Sequence, residues 1–360
     1  MRIGILTFHR ALNYGALLQC YALQRLLTDW GHDVVVVDYR QPYIEAKRVC
    51  FSLKQLFAMK GFDAKIDYFK KRNKRKSQVN NAKVVFDDFI ANILKTTHKC
   101  DGKSIPPDLD AYIIGSDQLW SENCLGGKFD DVYLAKFKHK DDAMIIGYAI
   151  SVNRQSLFNI AKNYPNLIGG FNSLSLREKF AVDEISKIAK SKVSLTIDPT
   201  LLLDENVWDN IASDKYKDEK YILIYQVRGT RYILSRKARH LAHKYNLNLV
   251  GASNQGMKIT DFLSAIKYAQ CIITTSFHAT AFAVIFNKPF YTFTLNDGKD
   301  DRYVELIHNL NLDNHLVDIN EKPEEMPLPL PRQLRHELTL YRTPSIEFLK
   351  NAINGQHNYI

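Results

Sequence analysis

One local pattern recurs along this chain: a short aliphatic run, a polar turn, then a stretch of helical periodicity. Ile3-Gly4-Ile5-Leu6-Thr7 has the length and composition of a buried strand. Asn13-Tyr14-Gly15 breaks it, and Leu17, Leu18, Tyr21, Ala22, Arg25 and Leu26 then recur near the 3.6-residue period. Gly31 ends that helix, and Val34-Val35-Val36-Val37 supplies the next strand. Such a βαβ unit predicts parallel strands joined by a crossover. Further strand-like runs occupy 111–114, 144–149, 173–176 and 193–196, and residues 43–100 read as helical and charged. A polar stretch at 204–220 interrupts the series. A second series follows, with strands at 221–225, 247–252, 271–275 and 289–293 and helices at 232–245, 260–269, 279–286 and 344–353.

Two blocks of βα alternation predict an α/β fold of two doubly wound domains that face each other across a cleft. The expected boundaries are 1–212 and 213–340, with 341–360 as a closing helix and tail. A length of 360 residues agrees with this, at about 150 residues per domain.

Several classes are excluded. With 46% hydrophobic residues the chain can bury a core and is not disordered. Its five cysteines are scattered and include no Cys-x-x-Cys pair, which suits a reducing compartment and rules out zinc-finger spacing. His240 and His243 share a helix face, but no third ligand lies near them, so no metal is expected. No Gly-x-Gly-x-x-Gly fingerprint, Walker lysine or Gly-x-Ser-x-Gly elbow is present. The N-terminal apolar run is too short for a signal peptide, and no run approaches the roughly 20 residues of a membrane span. A cytoplasmic protein is the expectation.

The net charge of +10 is concentrated in Lys70-Lys71-Arg72-Asn73-Lys74-Arg75-Lys76. A solvated surface accounts for such a run, and peripheral contact with an anionic membrane face is the functional alternative. Nucleic acid is not expected, because no recognition motif accompanies the charge.

In doubly wound sheets, ligands bind beyond the carboxyl ends of the strands. Four clusters lie at such positions. The first runs from Thr7-Phe8-His9-Arg10 to Asn13, Tyr14 and Gly15, where a helix start offers N–H groups and Gly15 permits close backbone approach. The second is Gly115-Ser116-Asp117-Gln118-Leu119-Trp120, whose carboxylate, amide and indole suit a sugar. The third is Arg177, a guanidinium fork for a carboxylate or phosphate. The fourth is Thr275-Ser276-Phe277-His278-Ala279, where His278 could serve as general acid or base. A helix N-terminus disfavours imidazolium, so a proton-donor role for His278 requires a nearby anion.

Together these stretches resemble the polysaccharide pyruvyl transferase family. The likeness runs through "IGILTFHRALNYGALLQCYALQRLL" (3–27), "IIGSDQLWSEN" (113–123), "SLREKFAVDEI" (175–185) and "TIDPTLLLD" (196–204). It continues in "DFLSAIKYAQCIITTSFHATAFAVIFNKPF" (261–290) and the "RTPSIEFL" tail (342–349). The resemblance implies two facing Rossmann-like domains in the GT-B arrangement. It also implies transfer of the three-carbon unit of phosphoenolpyruvate onto two hydroxyls of one sugar, as a pyruvate ketal, with release of phosphate. The sugar would belong to a surface or capsular polysaccharide precursor, with a lipid-linked saccharide as one form of acceptor. No organic cofactor or metal is implied. His278 and Arg177 match the family's histidine and strand-end arginine, the expected catalytic pair. Asn13, Tyr14, Gly15, Ser116, Asp117, Gln118, Ser276 and Phe277 are the expected substrate-binding residues. The family commonly shows Asp-Ser-Phe-His-Gly where this chain has Thr275 and Ala279, so a candidate partner for His278 is missing. A glycosyltransferase using a nucleotide sugar and a non-catalytic saccharide-binding protein are the competing readings.

Overall fold

Strands buried on both faces need helices on both sides, and the continuous apolar runs of this chain meet that condition by forming wholly parallel sheets. The computed structural model describes residues 1–48, 62–164, 169–189, 192–230, 232–252 and 256–355; of 62–75 it describes only the helical path. The first sheet contains β1 (Arg2–Leu6), β2 (Asp33–Val36), β3 (Ala111–Ile114), β4 (Met144–Ile150), β5 (Ser173–Leu176) and β6 (Val193–Leu195), in the order β2-β1-β3-β4-β5-β6. The second contains β7 (Tyr221–Tyr225), β8 (Asn248–Ala252), β9 (Cys271–Thr274), β10 (Phe290–Thr294) and β11 (Leu316–Asp318), in the order β11-β10-β9-β7-β8. Ile5 lies opposite Val36 on one side and Ile113 on the other, and Ile224 lies opposite Gly251 and Ile273. This is the two-domain α/β architecture expected from the sequence.

The helices of the first half are α1 (Tyr14–Asp29), α2 (Pro42–Lys47), α3 (Phe62–Ile93), α4 (Arg154–Asn163), α5 (Lys179–Ile185) and α6 (Glu205–Asp209). Those of the second half are α7 (Ile233–Lys244), α8 (Ile259–Lys267), α9 (Phe277–Ile285), α10 (Asp301–Asn309) and α11 (Leu334–Ile353). The basic run 70–76 falls on α3, and its side chains up to residue 75 lie outside the described ones. The closing helix begins at Leu334 rather than near Pro344, and Pro344 stands inside it. Among the described residues no helix is long and apolar enough to cross a membrane. The described cysteines, Cys20, Cys100, Cys124 and Cys271, are unpaired thiols.

Each sheet has one point where the strand order reverses. In the first it lies between β1 and β3; in the second it lies between β7 and β9. The loops leaving these strands diverge there and open a crevice. The two crevices face each other.

What holds them face to face is an aromatic seam. Helix α1 carries two rings across the boundary between the halves. Tyr14 stacks on Phe262 of α8 with centroids 4.2 Å apart and an interplanar angle of 8°, and on Phe86 of α3 at 5.3 Å. Its hydroxyl donates to the Met257 carbonyl oxygen at 2.9 Å. Tyr21 meets Trp208, which packs edge-on against Phe282 of α9 at 4.8 Å. One apolar core therefore runs through both halves. Truncating Phe262 to alanine should cost about 3–5 kcal/mol, the range for a buried aromatic. Urea unfolding of the Phe262→Ala variant measures this, and a loss below about 1 kcal/mol would contradict a seam that binds the halves together.

Candidate active site

The facing crevices merge into one cavity of about 410 Å³. Phe8, Asn13 and Ala16 reach it from the end of β1 and the start of α1, and Asp117 and Gln118 from the end of β3. The second half contributes Val227 and Arg228 after β7, and Thr275, Ser276, Phe277 and His278 after β9. The cavity thus lies where both strand orders reverse.

His278 stands in the first turn of α9. Ser276 caps that helix, its hydroxyl accepting from the Ala279 N–H at 3.4 Å. The imidazole lies against Gly15 of α1. A Cβ on Gly15 would fall 1.9 Å from Nδ1, 2.1 Å from Cγ and 2.4 Å from Cε1. Gly15 therefore makes room for a histidine of the opposite half; the close approach expected there for a ligand is used by the protein itself. Nε2 of His278 turns to Oδ2 of Asp198, 3.5 Å away. Asp198 follows β6, in the motif Asp198-Pro199-Thr200, and is 1% exposed.

The same Oδ2 is 2.5 Å from Nη2 of Arg177, and Nη2 also bonds the Ser116 hydroxyl. Oδ1 accepts from the Thr200 N–H at 2.9 Å and from its hydroxyl at 2.6 Å. Burial works against a charged carboxyl, but Arg177, His278 and Thr200 outweigh it and hold Asp198 well below the usual carboxylate range. The anion required beside His278 is thus built into the protein. Asp198 belongs to the stretch 196–204 that carries the family resemblance, so it is a separate carboxylate from the one missing at position 275. Thr275 instead uses its hydroxyl to accept from the N–H groups of Val227 and Arg228 at 3.2 and 3.3 Å, fixing the loop after β7.

The expected residues divide accordingly. Asn13, Asp117, Gln118, Ser276, Phe277 and His278 line the cavity. Asn13 doubles as the N-cap of α1, its side chain accepting from the Ala16 N–H at 3.2 Å. Tyr14 does not line it: its ring is buried in the seam between the halves. Ser116 is buried behind the cavity, donating to the Ala149 carbonyl oxygen at 2.7 Å and supporting Arg177. Arg177 is not an open fork. With a side chain 4% exposed and Nη2 committed to Asp198 and Ser116, it stands behind His278. His9 and Arg10 turn inward to Asp38, His9 through Nε2 at 3.0 Å and Arg10 through Nε and Nη2 at 2.8 Å each. Trp120 is fully buried, its N–H donating to the Tyr133 carbonyl oxygen. Its indole face is used for packing, not for a sugar.

Two residues escaped the local reading: Asp198 stood only within the stretch 196–204, and Arg302 in none of the four strand-end clusters. Arg302 lines the cavity from α10, and its Nη1 is 3.7 Å from Asp117. Among the described residues no group of three or more His, Cys, Asp or Glu side chains is arranged to hold a metal.

The family model described as "Polysaccharide pyruvyl transferase" matches residues 13–298, a span that includes Gly15, Arg177, Asp198 and His278. The chain belongs to the polysaccharide pyruvyl transferase family. The matched span is narrower at both ends than the resemblance of residues 3–349. No curated protein matches the sequence significantly. Among solved structures, the chain is similar to MnaA of S. aureus in complex with UDP (14% identity, 99% of this chain and 92% of that chain, TM-score 0.43). It is also similar to UDP-N-acetylglucosamine 2-epimerase of Rickettsia bellii (12%, 98% and 96%, TM-score 0.44). A third is the UDP-GlcNAc 2-epimerase of Neisseria meningitidis bound to UDP-GlcNAc (10%, 99% and 94%, TM-score 0.45). The fold assignment of this family member rests on its own strand orders.

Two predictions arise from the site. Gly15→Ala should displace the imidazole, so the His278 ring signals should move in a ¹H–¹⁵N spectrum more than those of any other histidine; unmoved signals would contradict the contact. The second concerns pH. A carboxyl depressed in the folded state adds stability above its unfolded value of about 3.9, and this is lost as pH falls through the folded value. The stability gap between wild type and Asp198→Asn should therefore shrink between pH 7 and pH 3. A gap in urea unfolding that stays constant over that range would show that Asp198 is not held as a charged group.

Proposed function

We propose that this family member moves the enolpyruvyl unit of phosphoenolpyruvate onto two hydroxyls of a saccharide, forming a pyruvate ketal and releasing phosphate. The observation that carries the reading is the buried Asp198 carboxylate against His278, which lines a cationic interdomain cavity. Family membership supports the transferase class.

Chemically, the methylene carbon of the enol phosphate takes a proton and becomes the methyl group. Positive charge develops on the adjacent carbon, where the first sugar oxygen attacks. The carbon–oxygen bond to phosphate breaks, and the second hydroxyl closes the ring. Two hydroxyl protons balance the reaction: one replaces the proton given to the methylene carbon, the other leaves with phosphate. His278 is the group for the proton transfers. Asp198 faces Nε2 and orients the ring, which leaves Nδ1 to work on the substrate. Arg177 acts through Asp198 as a positioning residue. Asp117, Gln118 and Asn13 offer a carboxylate and two amides along one wall, suited to sugar hydroxyls. As written, the reaction calls for no metal or organic cofactor. A lipid-linked acceptor, and attachment of the 70–76 run to a membrane face, belong to the same reading.

The test is phosphate release from phosphoenolpyruvate against a panel of saccharides, with product masses. Wild type should release phosphate and add a ketal-linked pyruvyl group. His278→Ala should lower turnover by about 10²–10⁴-fold, the usual scale of general acid–base catalysis. Tight binding of a nucleotide sugar with no response to phosphoenolpyruvate would replace this reading by a glycosyltransferase, and saccharide binding without turnover by a binding protein.

A further inference from the structure

The cavity wall carries five cations: Lys47, Arg48, Arg228, Lys299 and Arg302. Two are spent within the protein. Arg48 pairs with Asp87 at 2.5 Å and donates to the Arg10 carbonyl oxygen at 2.6 Å. Arg228 is held by Asp297 and Asp300, each at 2.5 Å. Arg177, behind the wall, is not among the residues lining this cavity: its Nη2 is held by Asp198 and Ser116, while its Nε and Nη1 are buried with no hydrogen-bond partner among the described residues.

The other three are not. Among the described residues, Arg302 makes no hydrogen bond, and its nearest carboxylate is Asp117 at 3.7 Å. Among the described residues Lys299 and Lys47 have no carboxylate partner, and Lys47 overhangs the Tyr43 ring at 4.3 Å. Asp117 is the one carboxylate on this wall, and its Oδ1 already accepts from the Gln118 N–H at 2.9 Å. Arg302 is also the most confined of the three, with a side chain only 20% exposed beside the Phe277 ring. Burial and the neighbouring Arg177 both act against its charge, a penalty that an arriving anion relieves. A planar fork that is held, desolvated and unbonded is prepared for a carboxylate or phosphate.

We infer that Arg302, with Lys299 and Lys47, forms the anion cradle of the cavity, and that Arg302 rather than Arg177 grips the anionic donor. Arg302 and Lys299 lie beyond the span matched by the family. The cradle draws Lys47 from the first half and the other two from the second. Given the proposed reaction, on which the donor's identity rests, the charges match. Phosphoenolpyruvate carries about three negative charges near neutral pH, a phosphate of about −2 and a carboxylate.

The experiment is calorimetric titration of phosphoenolpyruvate, and separately of inorganic phosphate, into the full chain and into Arg302→Gln, Arg302→Lys and Lys299→Gln. Arg302→Gln should weaken phosphoenolpyruvate binding roughly tenfold to hundredfold, the value of a charge-assisted hydrogen bond or two. Arg302→Lys should recover part of that loss, and Lys299→Gln should weaken binding by about threefold to tenfold. In turnover assays the Arg302 variants should raise KM and leave the pH profile in place, whereas Arg177→Gln should shift the profile. Wild-type affinity in Arg302→Gln would overturn the cradle. If that variant fails to fold, wild-type affinity in both Arg302→Lys and Lys299→Gln overturns it equally. If wild type binds inorganic phosphate but not phosphoenolpyruvate, and Arg302→Gln loses the phosphate, the cradle stands and the donor assignment falls. If wild type binds neither, both fall.

Discussion

A single buried carboxylate organises the candidate site. Asp198 is out of water and must be compensated by partners, because an isolated buried charge costs several kcal/mol. Its compensation comes from three directions: the Arg177 guanidinium at the end of β5, Thr200 on the turn after Asp198 itself, and the His278 imidazole from the other half. The first two fix where the carboxylate is. The third makes its position matter, because the imidazole at the start of α9 is brought against it from the other half of the chain. Gly15 completes the arrangement by leaving no atom where the ring must lie.

Much of the architecture was legible from local pattern. Parallel strands buried on both faces are continuous apolar runs, so 111–114 could be placed to the residue; 173–176, where serines alternate with leucines, was placed as well, and the polar clusters after both fell at strand ends. Helix ends were harder. Pro344 read as a start signal, yet α11 begins ten residues earlier and carries the proline inside.

The candidate site was legible where a cavity-lining residue belongs to its own strand-end cluster. His278, Phe277, Asp117 and Asn13 all reach the cavity. Relations across long sequence separation were not legible. Nothing near Arg177 announces that Asp198 will occupy its fork. Nothing near Tyr14 announces Phe262, which turns a polar-looking loop residue into core. Nothing near His278 announces that a carboxylate from the other half of the chain will face it.

The seam of rings between the halves has an effect on how the cavity is used. In a molecule whose lobes swing on a bare linker, part of the binding energy of each ligand is consumed in bringing the lobes together. Here Tyr14, Phe262, Trp208 and Phe282 have already done so, and the imidazole and its carboxylate are in register before anything arrives. A fixed jaw of this kind selects by what can slip into it. Whatever freedom the wall keeps then lies with its long exposed side chains, Lys47 from one half and Lys299 from the other.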